Sequence, residues 1–123
     1  MAYLFDRRQT RTIFAGGVQI GGDAPISIQS MTNTDTHHFD ATYRQVKALE
    51  EVGCDIVRIT VPDLAACETI EKLKKSDIKI PLVADIHFDH RIALAVADAG
   101  VDKIRINPGN IGADEKVKAV ADK

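Results

Sequence analysis

Arg58 and Arg105 occupy the same place in two closely related stretches, Gly53-Cys54-Asp55-Ile56-Val57-Arg58-Ile59 and Gly100-Val101-Asp102-Lys103-Ile104-Arg105-Ile106. In both, aliphatic residues recur at every second position, as in a strand with one face against a packed layer. Val57, Ile59 and Val61 are expected to face helices, as are Ile104 and Ile106. Arg58, Thr60, Arg105 and Asn107 then share the opposite face. A third stretch, 81–87, sends Leu82, Ala84 and Ile86 to the helices and Asp85 and His87 to the arginine face. The stretch 26–31 sends Ile26 and Ile28 to the helices, and Gln29 and Met31 to the arginine face.

Two guanidiniums turned into one interior need anions, because a buried unpaired charge is costly. Their planar forks match phosphate oxygens in a bidentate way. The competing partner within the chain is Asp85, as a salt-bridged core whose internal ion pairs are weakly stabilising at best. Pro108-Gly109-Asn110-Ile111-Gly112 follows the second arginine strand and leads into a helix. Gly109, Asn110 and their neighbours could bring backbone N–H groups toward a phosphate, although a plain turn would use the same residues. His87, oriented by Asp85, suits a hydrogen-bond donor or proton carrier. Asp85 and His87 fall short of the three or four ligands of a usual metal site, so no metal is expected there. His37 and His38 are read as solvated loop residues.

These positions need a scaffold of alternating strands and helices. Residues 1–11 are polar and basic, an arm. Residues 12–22 read as a β-hairpin turning at Gly16-Gly17, since two glycines accept the positive φ of a primed turn. Four βα units follow, with strands at 26–31, 55–61, 81–87 and 103–107. Asp40, Asp63 and Asp89 are the expected caps of the first three helices. Val46, Leu49 and Val52 should line the first helix, Leu64, Cys67, Ile70 and Leu73 the second, and Ile92, Ala95, Val96 and Ala99 the third. Gly53 and Gly100 stop the first and third. A fourth helix begins near Asp114.

Such alternation implies a parallel sheet with right-handed crossovers. The related arginine strands stand two units apart, which suits a barrel whose alternate strands fill the same interior layer. The expected architecture is therefore α/β, the first half of a TIM (β/α)8 barrel preceded by a β-hairpin. A whole barrel takes about 250 residues, so the 123 residues are expected to be part of a longer protein. The alternatives are association of two copies, or a small doubly wound sheet of flavodoxin size that binds a phospho-ligand without catalysis.

Composition narrows the class. Apolar residues make up 45% and charged residues 28%, a globular balance, and the net charge of −2 offers no bulk attraction to nucleic acid or membrane. No apolar run reaches the roughly 20 residues of a membrane span, and the start carries charge too early for a signal peptide, so the expected location is cytoplasmic. Cys54 and Cys67 are isolated and read as reduced thiols of the core.

Five segments in this order resemble 4-hydroxy-3-methylbut-2-enyl diphosphate synthase: Gly16-Gly17-Val18-Gln19-Ile20-Gly21-Gly22, Ser30-Met31-Thr32-Asn33-Thr34, Val57-Arg58-Ile59, Leu82-Val83-Ala84-Asp85-Ile86-His87-Phe88-Asp89 and Arg105-Ile106-Asn107-Pro108-Gly109-Asn110-Ile111-Gly112. The resemblance implies an oxidoreductase of non-mevalonate isoprenoid biosynthesis that reductively opens and deoxygenates 2-C-methyl-D-erythritol 2,4-cyclodiphosphate. It implies a barrel that binds the cyclic diphosphate. It also implies a [4Fe-4S] cluster on three cysteines and a glutamate outside this chain, ferredoxin or flavodoxin as electron donor, and a homodimer. Arg58, Arg105 and Asn107 match substrate-contacting positions of that family, and Asp85 and His87 match polar site residues. The chain alone is expected to bind substrate poorly and to catalyse nothing.

Overall fold

The computed structural model describes residues 8–123, the side chains of Pro108 and Gly109 excepted. Of the expected arm, residues 1–7 lie outside the described residues. The hairpin forms from β1 (Ile13–Ala15) and β2 (Val18–Ile20), paired antiparallel with Ala15 opposite Val18. Gly16 takes φ +56° and Gly17 does not take a positive φ. That is the sign pattern of a type II′ turn, one of the two whose twist suits a two-residue hairpin loop.

The remaining strands are β3 (Gln29–Met31), β4 (Ile56–Thr60), β5 (Leu82–Ile86) and β6 (Lys103–Ile106). They form one parallel sheet in the order β3-β4-β5-β6. The helices are α1 (Phe39–Glu51), α2 (Cys67–Lys75), α3 (His90–Asp98), the single turn α4 (Pro108–Ile111) and α5 (Asp114–Asp122).

All the longer helices cover one face of the sheet. Val57, Ile59, Val61, Leu82, Ala84 and Ile86 form a buried cluster with Val46 of α1, Ile70 and Leu73 of α2, and Ile92 and Val96 of α3, joined by Val117 and Val120 of α5. The opposite face carries Ile56 and Val83, which pack instead against Ala15, Val18 and Ile20 of the hairpin. A doubly wound sheet would have helices on both faces and a reversal in strand order. Consecutive order with one-sided helices is the winding of a barrel wall, and the hairpin closes the N-terminal end of its inner face.

Several expectations about the first two units are corrected. Ile26 and Ile28 are 79% and 63% exposed. They precede the short edge strand β3, and no helix covers them. Asp40 lies inside the first turn of α1, whose N-cap is His38; it adds charge at the positive end of the helix dipole without capping it. Val52 is the C-cap and 80% exposed. In the second unit, Asp63 caps an earlier turn, its Oδ1 accepting from Ala66 N–H at 2.9 Å, and α2 starts only at Cys67. That leaves Leu64 exposed. Asp89 does cap α3, accepting from Arg91 N–H at 2.9 Å.

The repeated Gly-x-Asp has a structural basis at both residues. Gly53 and Gly100 take φ +89° and +93° after their helices. The next N–H groups, of Cys54 and Val101, reach back to Leu49 O and Val96 O, closing matched left-handed caps. The aspartates then tie neighbouring strands: Asp55 Oδ2 accepts from Ile28 N–H at 2.7 Å, and Asp102 Oδ2 accepts from Leu82 N–H at 2.9 Å.

Candidate functional site

The C-terminal ends of β4, β5 and β6 converge on Asp85. This carboxylate is 2% exposed. In the parallel register it stands level with Thr60 on one side and Arg105 on the other. Arg105 Nη1 donates to Asp85 Oδ1 at 3.0 Å. Arg58 Nε lies 3.6 Å from Asp85 Oδ2, an ion-pair distance too long for a hydrogen bond. Its Nη2 contacts Met31 Sδ at 3.4 Å. Arg58 Nε is buried without a hydrogen-bond partner, the one such side-chain atom among the described residues. His87, just past β5, places Nε2 3.9 Å from Asp85 Oδ2.

One carboxylate thus faces two guanidiniums, so the cluster keeps an excess of positive charge. Both arginine heads remain partly open to solvent. Asp85 orients them without neutralising them, and Arg58 Nε has a direction still to satisfy. An anion with several acceptor oxygens matches that demand.

The other expected residues fall around this centre. Thr60 heads β4 beside Asp85. Gln29 pairs in register with Ile56, a layer below Met31 and Arg58, and is exposed at the sheet edge. Asn107 follows β6, and its carbonyl accepts from Asn110 N–H at 2.9 Å and Ile111 N–H at 3.1 Å. The expected glycine loop is the single turn α4, so those two N–H groups point back to Asn107 rather than outward. Gly109 lies within that turn, and its surroundings lie outside the described residues. Gly112 ends it with φ +113°.

Two features of this end escape a reading of the sequence. Thr36 is buried, and its Oγ1 donates to Thr60 O at 2.6 Å, fastening the β3–α1 loop to the end of β4. His37 is exposed in its loop, as expected, but its ring also lies between Asp35 Oδ1 at 2.7 Å and Asp63 Oδ2 at 2.8 Å. The Asp63 hydrogen bond, then that of Asp35, holds the ring's pKa above its ordinary value. Asp35, through the His37 backbone N–H and ring, and Asp63, through Ala66 N–H and the same ring, are held below theirs. The Asp35–His37 spacing of a short side-chain turn is legible in the sequence; the contact with Asp63 is not.

An iron–sulfur cluster needs four ligands, and the cysteines here do not fit one. Cys54 Sγ donates to Ile56 O at 3.1 Å near the N-terminal end of β4, whereas Cys67 opens α2 beyond the opposite end. Burial, then the nearby Asp63, raises the Cys67 thiol pKa, away from the thiolate a metal takes. Among the described residues no group of three or more His, Cys, Asp or Glu could hold a metal ion. No described helix is long and apolar enough to cross a membrane.

Comparison with known proteins converges on one family. A family model described as the GcpE TIM-barrel domain matches residues 10–123. A protein of Azotobacter vinelandii named 4-hydroxy-3-methylbut-2-en-1-yl diphosphate synthase (flavodoxin) is 58% identical over 116 residues, covering 94% of this chain and 31% of its own length. One of the same name from Histophilus somni is 59% identical over 117 residues, covering 95% and 32%. The chain thus spans about a third of the length of these relatives. Among solved structures, a dihydropteroate synthase of Xanthomonas albilineans superposes with a TM-score of 0.64 at 20% identity, over 90% of this chain and 46% of that one. That likeness bears on the fold alone.

Proposed function

We propose, from the premise that this chain belongs to the GcpE TIM-barrel domain family, that it forms the diphosphate-holding part of a 4-hydroxy-3-methylbut-2-en-1-yl diphosphate synthase. The substrate on this reading is 2-C-methyl-D-erythritol 2,4-cyclodiphosphate. The observation that carries the reading is the Arg58–Asp85–Arg105 cluster, which keeps net positive charge and an unsatisfied Arg58 Nε at the C-terminal end of a barrel wall. Barrel enzymes work at that end.

Arg58 and Arg105 hold the diphosphate oxygens and offset the charge that gathers on them as the ring opens. Asp85 keeps the two forks apart and aligned. His87 hydrogen-bonds the substrate or delivers a proton to the departing hydroxyl, which leaves as water. Asn107, Asn110 and the turn at Gly109 border the diphosphate, and Gln29 lies nearer the floor of the site. The overall reduction takes up two electrons and two protons. Flavodoxin, named for the relatives, or ferredoxin is the donor. A [4Fe-4S] cluster would pass the electrons, and the described residues do not fit it. The working protein on this reading is a cytoplasmic homodimer.

The test is calorimetric titration of the full-length protein with the cyclic diphosphate. Arg58→Ala and Arg105→Ala should each weaken binding roughly ten- to a hundredfold, the size of a lost charge-assisted hydrogen bond. Unchanged affinity in both variants would remove the arginines from the site.

A further inference from the structure

His37 joins two loops that share no strand. Its Nδ1 meets Asp35 Oδ1 at 2.7 Å within the β3–α1 loop, and its Nε2 meets both oxygens of Asp63, at 2.8 and 2.9 Å, in the β4–α2 loop. Each carboxylate is also fixed by its own loop. Asp35 Oδ1 accepts from His37 N–H at 3.0 Å, and Asp63 Oδ1 accepts from Ala66 N–H at 2.9 Å. An ionised carboxylate only accepts hydrogen bonds. For the ring to hydrogen-bond such a partner at both nitrogens it must carry both protons.

The clipped loop is also anchored to the arginine strand. Thr32 N–H donates to Arg58 O at 3.0 Å, and Thr36 Oγ1 donates to Thr60 O at 2.6 Å. These contacts lie at positions 58 and 60 of the strand that carries the Arg58 guanidinium. We propose that protonated His37 is a positioning residue, a clip between the first two loops of the site end that fixes the end of β4 and with it the reach of Arg58. The inference rests on the reading of Arg58 as a phosphate holder only for its consequence in binding; the clip stands on its own geometry.

Loss of one ring proton turns one nitrogen into an acceptor facing an acceptor, and one contact must open. The charged groups facing the ring are Asp35 on its own loop and Asp63 on the β4–α2 loop; His38 lies beside Asp35. Among the described residues no lysine or arginine pairs with either carboxylate. The ring's pKa is raised, so the clip is fully formed below the ordinary histidine value of 6.5 and is lost as pH rises through the higher folded value. The carboxylate pKa values are lowered, so their share is present above 3.8 and is lost as pH falls through the lower folded values.

The experiment is nuclear magnetic resonance of the full-length protein between about pH 5.5 and about 9, the span that brackets a shifted histidine. It follows the His37 ring, Thr32 amide exchange corrected for intrinsic base catalysis, and the affinity for inorganic pyrophosphate. The ring should titrate above 6.5. Thr32 exchange should rise roughly two- to fivefold through the same midpoint, the range for an exposed ion pair, and pyrophosphate should weaken with it. His37→Gln should abolish the step, and His37→Arg, always charged, should keep the low-pH behaviour throughout. A ring titrating at or below 6.5, or a step that persists in His37→Gln, overturns the proposal. If pyrophosphate binds at no pH while the ring and Thr32 behave as stated, the clip stands and the phosphate reading of Arg58 fails.

Discussion

Asp85 and Arg105 stand level on adjacent parallel strands, with Arg105 Nη1 3.0 Å from Asp85 Oδ1. The carboxylate is buried and the guanidinium is half open. Within the chain the pair is an ion bridge. With Arg58 on the opposite side of Asp85, the carboxylate stands between two guanidinium forks.

That arrangement can be separated from simple charge. Asp85→Asn raises the positive charge of the site and removes the carboxylate that holds the arginines. Cyclic diphosphate affinity should fall about tenfold or more, because alignment through charge-assisted hydrogen bonds outweighs one added charge near solvent. Tighter binding by calorimetry would make Asp85 a competitor of the ligand instead.

Removing the Asp102 clamp should destabilise the fold without touching the site. Its side chain accepts from Leu82 N–H at 2.9 Å and from Lys74 Nζ at 2.8 Å. Asp102→Ala leaves a buried strand N–H without a partner and should cost about 1–3 kcal/mol. Thermal unfolding measures it, and an unchanged midpoint would rule the clamp out.

Gly53→Ala and Gly100→Ala should behave alike, because both glycines hold nearly the same positive φ and neither has a neighbour that an added methyl would strike. The cost is then purely backbone, about 1–2 kcal/mol each. A large difference between them in chemical denaturation would mean that the two caps are not equivalent.

Acid should loosen α3 through its cap. The Arg91 side chain and then its backbone N–H lower the Asp89 pKa to about 2. A lowered carboxylate contributes above its unfolded value, near 3.8, and loses that contribution as pH falls toward 2. Amide exchange of the first turn of α3 should accelerate across that window, and Asp89→Asn should flatten the change.

The barrel wall is legible in the sequence where a strand is flanked on both sides. β4 and β5 alternate between helix-facing aliphatics and interior residues, so the alternation alone places Arg58 and Asp85 on one face, and the repeated pattern of β6 adds Arg105. The same logic misplaces Ile26 and Ile28, because period-two alternation reports two faces but not whether a neighbour covers either. Asp40 has the composition of a cap, but the chain enters α1 two residues earlier than that reading requires, with His38 at the cap. His37 and Asp63 are 26 residues apart, and only the crossover that brings two loops side by side makes them partners. The role of Asp55 and Asp102 as strand ties is hidden similarly: the repeat shows only that they recur, whereas the N–H that each accepts from belongs to another segment.

The decisive measurement is a crystal structure of the full chain with 2-C-methyl-D-erythritol 2,4-cyclodiphosphate. Diphosphate oxygens should lie within about 3 Å of both the Arg58 and Arg105 guanidiniums, with Arg58 Nε hydrogen-bonded and Asp85 still between them. A ligand seated elsewhere, with Arg58 and Arg105 turned only to Asp85, would overturn the diphosphate grip and leave the cluster an internal ion bridge.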